Sequence, residues 1–322
     1  MTLQQLRYLA EVVKQDLNIS RAAHTLHVSQ PGLSRQVQLL EHELGVELFV
    51  RNRRRLVRLS PAGAEIHRLA AQVLENARNI GEAAREHAGE HQGTLTVATT
   101  HTQARYALPD VIRRFTQRYP DVQLSLRQGT PSDVSELVAS GGADLSIATE
   151  PLEPPAEIVL LPCYELHRIV LMPKGHPLLK TRRVTLEKLA KFPLITYDYA
   201  FIGRSKTMSA FEARGIRPNV VLNAIDADVI KTYVEFGLGI AIVPGMAYER
   251  SRDKNLRAID ARHLFEPNTI HVGMRRNHYL RGYMYAFIEI FAPHLKRAVV
   301  EKAIAESASR RSGLRQAVSG QR

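Results

Sequence analysis

Ala22-Ala23-His24-Thr25-Leu26-His27-Val28-Ser29-Gln30-Pro31-Gly32-Leu33-Ser34-Arg35-Gln36-Val37-Gln38-Leu39-Leu40 is the stretch on which the architecture turns. Asn18 can cap a short helix that carries Ala22, Ala23 and Leu26 on one face and ends near Val28. Ser29 is a second N-cap and Pro31 falls in a first turn, where its missing N–H costs little. Leu33, Val37, Leu40 and Leu44 then mark a buried stripe, and Gly45 ends the helix. The spacing predicts two helices meeting at a tight turn. The opposite face of the second carries Gln30, Ser34, Arg35 and Gln38, with Ser29 and Pro31 at its leading end. Arg pairs with guanine and Gln with adenine in a major groove, and residues near a helix N-terminus reach base edges first. These six residues are the candidate DNA-reading set, and double-stranded DNA is the expected partner.

Outward from this pair, Thr2 and Gln5 have capping-box spacing, and Leu3, Leu6, Leu9, Ala10 and Val13 recur at helical period, so a helix runs to about Gln15. Downstream, Leu48-Phe49-Val50 and Leu56-Val57-Arg58-Leu59 read as two strands around the basic tip of a wing. Arg51, Arg53, Arg54 and Arg55 are its candidate phosphate contacts. Ser60 caps and Pro61 opens a longer helix in which Ile66, Ala70, Val73, Ala77, Ile80 and Ala84 alternate spacings of four and three, the seam of a coiled coil. A dimer is expected, matching a two-fold DNA site.

Composition sets the frame. At 322 residues the chain exceeds one core, and 44% hydrophobic with 24% charged residues is globular usage. The net charge is +12, yet residues 1–93 hold 12 Lys/Arg against 10 Asp/Glu, so the nucleic-acid reading rests on local pattern, not on total charge. The single cysteine, Cys163, excludes an intramolecular disulfide and sits in an apolar run, where it reads as a small buried hydrophobe. No apolar run reaches bilayer length, no leader precedes Leu3, and the cytoplasm is the expected compartment. Gly-x-Gly-x-x-Gly, the phosphate loop, Gly-x-Ser-x-Gly and Cys-x-x-Cys are all absent, which argues against an enzyme. His24 with His27 and His87 with His91 have ligand-compatible spacing but no carboxylate or cysteine company, so neither a metal nor a cofactor is expected.

Leu3, Ala22, Ala23, Leu26, Ser29, Gln30, Pro31, Leu33, Ser34, Leu40, Glu41, Leu44, Gly45, Leu48, Phe49, Arg51 and Pro61 together resemble the LysR-type regulators. Ala98 through Pro109, Ile147 through Glu150, Gly203-Arg204-Ser205 and Asp226 through Tyr233 are similar to its CysB and Cbl branch, which governs sulfur assimilation genes. The resemblance spans about 290 residues. It implies an α/β chain with an N-terminal mainly-α winged helix-turn-helix over 1–60, a linker and dimerisation helix over 61–92, and an effector domain over 93–300. It further implies a homodimer assembling to a homotetramer on promoter DNA, with RNA polymerase as a further partner. The effector part has two α/β subdomains of periplasmic-binding-protein type, about 93–163 with 268–300 and about 164–267. Residues 301–322, rich in Ser, Arg, Gly and Gln, read as a disordered tail.

The effector half supports this on its own terms. Strand-like Thr94 to Thr99, Val122 to Leu126 and Asp144 to Ala148 alternate with helical Ala107 to Tyr119 and Asp133 to Ala139, a βαβαβ order that favours a parallel sheet with ligand at the strand carboxyl ends. Thr100, Thr102 and Gln103 fall where the first strand gives way to a helix, and Thr149 follows the third strand. In the branch that the sequence resembles, these residues line the effector site, which implies acetylserine, sulfate or a related sulfur metabolite as ligand. At Ile202 that branch has a threonine, so a hydroxyl contact is lost, and Asp198, if it faces the cleft, favours a ligand bearing an amino group. A solute-binding protein or anion sensor without DNA regulation is the competing reading of residues 94–295.

Overall fold

A computed structural model describes residues 1–52, 55–89, 92–151, 153–198 and 202–307; the side chains of 55 and 202–205 lie outside the description. The chain divides into two units, one of residues 1–89 with 277–279, the other of 90–276 with the chain from 280 onward. Among the described residues no helix is long and apolar enough to cross a membrane.

The first unit opens with α1 (Leu3–Lys14), whose Thr2 and Gln5 close a reciprocal capping box. Asn18 accepts from the Arg21 amide at 3.0 Å and starts α2 (Ile19–Thr25). Ser29 Oγ accepts from the Gly32 amide and starts α3 (Gln30–Leu44), which ends on Gly45 at φ +70°, a conformation only glycine adopts freely. The turn between α2 and α3 falls earlier than the sequence suggests, at Leu26–Val28, with His27 carrying the left-handed backbone at φ +53°. Leu9, Val12, Ala22, Leu33, Val37 and Leu40 form the core. Antiparallel β1 (Phe49–Asn52) and β2 (Arg55–Leu59) make the wing, and Phe49 pairs with Leu59.

α4 (Pro61–His87) leaves the wing under tight constraint. Ser60 donates its hydroxyl to the Glu47 carbonyl at 2.6 Å and accepts from the Gly63 amide at 2.8 Å. A Cβ on Gly63 would lie 1.9 Å from the Leu48 carbonyl oxygen. Gly63→Ala should therefore lift the start of α4 off the wing and cost about 1–3 kcal/mol, read as a lower melting temperature; an unchanged melting temperature would show that the close approach is dispensable. The seam read from the sequence needs correction here. Ile66, Ala70 and Leu74 pack into the unit's own core, so the free apolar row consists of Leu69, Val73 and Ile80. The heptad reading merged two adjacent faces of one helix.

The second unit holds two five-stranded sheets. β3 (Gly93–Thr99), α5 (Leu108–Arg118), β4 (Val122–Gln128), α6 (Pro131–Ala139), β5 (Leu145–Thr149) and β6 (Ile158–Leu166) build the first, completed by β12 (Asn268–Arg275) in the order β4-β3-β5-β12-β6. β7 (Arg168–Pro173), α7 (Leu186–Leu189), β8 (Leu194–Tyr197), α8 (Ile202–Glu212), β9 (Val220–Ala224), α9 (Ala227–Glu235), β10 (Ile240–Pro244) and β11 (Leu256–Asp260) build the second, in the order β11-β7-β10-β8-β9. Three strands of each sheet run parallel, and the strands next to the two crossings between lobes run antiparallel. α10 (Gly282–Phe291) packs Phe287 against Phe115 of α5 in the first lobe's core.

Three features escape the sequence reading. β6 contains Pro162, which interrupts a strand pattern but is tolerated because β6 is a sheet edge. β11 is the other hidden edge. Before α5 the chain forms a π-helical turn over Gln103–Ala107, a rare form that concentrates at functional sites. The expected tail also starts too early at 301, since a helix covers 297–307, buries Val300 and packs Ala303 and Ile304 on the first lobe's core. Residues 308–322 lie outside the described chain.

Candidate functional site

In the first unit, Ser29, Gln30, Pro31, Arg35 and Gln38 are exposed and Ser34 is half-buried. α3 buries Leu33, Val37 and Leu40 and so turns this polar row outward. Among the described residues the side chains of Gln30, Arg35 and Gln38 have no intramolecular partner, which leaves their donors for an external acceptor. The wing separates into two parts. Arg51 is drawn back onto Glu41 of α3, donating to Oε1 at 3.2 Å and Oε2 at 2.6 Å, while Glu41 Oε1 also accepts from the Leu48 and Phe49 amides at 2.8 and 3.3 Å. Glu41 is nearly buried, so the pair locks the wing to α3, and Arg51 ties the fold as much as it offers charge. Arg53 and Arg54 lie outside the described residues, and Arg55 opens β2 with its side chain undescribed.

In the second unit, Thr100, Thr102, Gln103 and Thr149 converge on one small cavity between the lobes, as the strand-end argument requires. β3 and β5 run parallel, so Thr100 just beyond β3 and Thr149 at the end of β5 meet at the same sheet edge. The Ala104 amide bonds the Thr100 carbonyl, so the helical run begins here and its first turn lines the cavity through Thr102 and Gln103. Gln103 is buried; its carbonyl accepts from the Tyr164 hydroxyl at 2.5 Å and its amide nitrogen faces Met246 Sδ at 3.8 Å. Thr102 Oγ1 lies 3.5 Å from the Tyr197 hydroxyl of the second lobe. Burial pushes the Tyr197 phenol up to about 12, so it stays a neutral hydrogen-bonding group.

The second lobe contributes what the sequence reading overlooked. Arg168, Tyr197 and Pro244 complete the lining from that side, and Leu166 and Ile270 add to it from the first lobe. Arg168 is 4% exposed and donates to Asn268 Oδ1 at 2.9 Å; among the described residues no carboxylate pairs with it. Burial pulls its guanidinium below the usual arginine range, the mark of a cation short of counter-charge. Its one sequence signal was a lone arginine heading the apolar run Ile169-Val170-Leu171-Met172. Ile202 opens α8, but its side chain lies outside the description, and Asp198 is not part of the cavity lining. The cavity volume is about 30 Å³, room for one or two water-sized groups.

Comparison with known proteins agrees on both units. The family described as bacterial regulatory helix-turn-helix protein, lysR family, matches residues 3–64, and LysR substrate binding domain matches residues 88–296. The chain is 49% identical over 307 residues to the HTH-type transcriptional regulator SsuR of Burkholderia cenocepacia, covering 95% of this chain and 100% of that protein. It is 46% identical over 303 residues to the HTH-type transcriptional regulator CysB of Haemophilus influenzae, covering 94% of each. The crystal structure of the cofactor-binding domain of the Cbl transcriptional regulator superposes with a TM-score of 0.64 at 42% identity, over 66% of this chain and 93% of that one. The reading of residues 94–295 as a free-standing solute binder gives way to a regulator's effector domain. With a helix-turn-helix that presents an unpartnered polar face and a two-lobed domain closed over a cavity, the chain belongs to the LysR family of DNA-binding transcriptional regulators.

Proposed function

We propose that this regulator senses a small sulfur-pathway anion in its interlobe cavity and controls sulfur assimilation or sulfonate-use genes, as the branch it resembles does. The observation that carries the ligand class is Arg168: a buried guanidinium without a carboxylate is costly unless an anion joins it. Thr100, Thr102, Gln103 and Thr149 add hydroxyl and amide donors around the same space, while Ile202 supplies no hydroxyl. Sulfate, acetylserine and sulfonates all present an oxyanion to such a set. Titrating each while following thermal unfolding tests the reading, because a ligand bound only by the folded state raises the melting temperature. No rise with any of them would sink it.

On the DNA side, residues 1–60 bind promoter duplex, with Ser29, Gln30, Pro31, Ser34, Arg35 and Gln38 toward the bases and Arg53, Arg54 and Arg55 toward phosphates, helped by Arg51. Residues 61–92 dimerise, residues 93–300 read the effector, and the assembled tetramer engages RNA polymerase in the cytoplasm. Arg35→Ala should weaken specific binding by about 1–3 kcal/mol while leaving random-sequence binding nearly unchanged. Gel shifts on operator and scrambled duplexes at two salt concentrations check this, and equal losses on both would remove Arg35 from the base-reading set.

A further inference from the structure

Asp228, on the first turn of α9 in the second lobe, is not part of the cavity lining, yet it grips the segment that carries the donors of the first lobe. Its Oδ1 accepts from the Tyr106 hydroxyl at 2.6 Å, and Arg105 Nε lies 3.2 Å from Oδ2. His101 Nε2 stands 3.9 Å from the same oxygen. Tyr106 and Arg105 belong to the π-helical turn that starts at Gln103, and His101 lies between Thr100 and Thr102. Behind Asp228, Lys231 pairs with Asp253 at 2.7 Å and approaches Asp228 at 3.7 Å, with its ammonium 5.5 Å from the centre of the Tyr106 ring. The Tyr106 ring itself packs on the second lobe's core beside Tyr197 and Ile230.

We propose that Asp228 is a positioning residue for effector binding: it clasps the π-helical turn to the second lobe and thereby holds Thr100, Thr102 and Gln103 closed over the cavity. The proposal rests on the reading of that cavity as the effector pocket. The groups point one way. Three side chains of the first lobe converge on one carboxylate of the second, and parting the lobes breaks all of these contacts together. Against the burial that raises it, the Tyr106 hydrogen bond first and then the neighbouring Lys231 and Arg105 hold the Asp228 carboxyl below its usual range, so the clasp is charged at neutral pH. A π-helical turn gains one residue per turn over an α-helix at a cost in backbone packing. Here the cost is offset by a geometry in which Gln103 faces the cavity while Tyr106 reaches Asp228. Because Thr100, Thr102 and Gln103 share the cavity lining with Arg168 and Tyr197 of the other lobe, weakening the clasp lowers the population in which these groups are together and with it the affinity.

The test compares the full-length wild type with Asp228→Asn, Tyr106→Phe, the double variant, Asp228→Glu and, as a control, Asp260→Asn, which alters an exposed pair with Arg262 elsewhere in the second lobe. Hydrogen exchange is followed in peptides spanning 100–108 and 226–236, and inorganic sulfate is titrated against each protein. Asp228→Asn and Tyr106→Phe should each speed exchange in both peptides by roughly tenfold, and the double variant should add little beyond either. The sulfate dissociation constant should rise by about tenfold in step, with partial recovery in Asp228→Glu and none of these changes in Asp260→Asn. Unchanged exchange at 100–108 in Asp228→Asn, or effects that add in full in the double variant, would overturn the clasp. A wild type that sulfate neither protects nor stabilises would instead overturn sulfate as ligand, while the exchange comparison still decides Asp228.

Discussion

Val73→Glu should yield an assembly of half the wild-type mass or less that has lost tight operator binding, with its DNA-binding unit still folded. Leu69, Val73 and Ile80 are 45%, 42% and 72% exposed on α4, spaced four and seven residues apart so that they share one side of a helix about 40 Å long. An apolar row of that length on a helix whose other face already packs at home calls for a partner, and a second copy of the same helix supplies a matching row. Two glutamates facing each other across a two-fold seam would have to be desolvated together. Dimerisation should weaken by at least about a hundredfold, or nearly 3 kcal/mol. Operator affinity then falls further, because each half-site must be bound independently instead of through a linked pair. Light scattering and operator gel shifts on one preparation check both parts. A wild-type mass for Val73→Glu would place the interface elsewhere. Ile66→Glu is the instructive contrast: Ile66 packs on the domain core, so that variant should unfold the unit itself, seen as lost cooperativity in thermal unfolding.

What could be read in advance follows the range of the interactions. The helix-turn-helix is written in local signals, namely the Thr2–Gln5 box, the Asn18 and Ser29 caps and the Gly45 stop, and each acts within four residues of its own position. The α4 seam was half legible, since periodicity tells which residues share a face but not which face is already occupied by Leu9 and Val12 of the same unit. Thr100, Thr102, Gln103 and Thr149 could be placed together because parallel strand ends meet by topology alone. Arg168 and Tyr197 could not. They reach the cavity only through the packing of the second lobe against the first, over separations near a hundred residues, as the Tyr197–Thr102 and Arg168–Asn268 contacts show. The Glu41–Arg51 pair was hidden for another reason: an arginine next to a basic wing tip looks like one more phosphate ligand until its acid is found buried behind it.

Arg168→Met should divide ligand binding from stability, in opposite directions. Methionine keeps much of the volume and the flexible stem but removes a charge held among Leu166, Tyr197, Pro244 and Ile270. Without ligand, the wild type bears the cost of a desolvated guanidinium whose side-chain acceptor among the described residues is the Asn268 amide oxygen. Replacing such a cation by an apolar side chain is commonly neutral or favourable, here less the roughly 1 kcal/mol of leaving Asn268 Oδ1 unpaired. The unliganded variant should thus melt at or slightly above the wild-type temperature. With sulfate the order should reverse. A charge-assisted hydrogen bond to the anion is worth about 2–3 kcal/mol, so the dissociation constant should rise on the order of a hundredfold. Sulfate at a hundred times the wild-type dissociation constant would stabilise the wild type by about 2.7 kcal/mol and the variant by under about 0.5. A purely structural arginine predicts the opposite pattern, a fall in unliganded stability with the sulfate increment intact. Thermal scans of the two proteins with and without sulfate therefore separate a residue kept for folding from one whose buried charge is completed by an incoming anion.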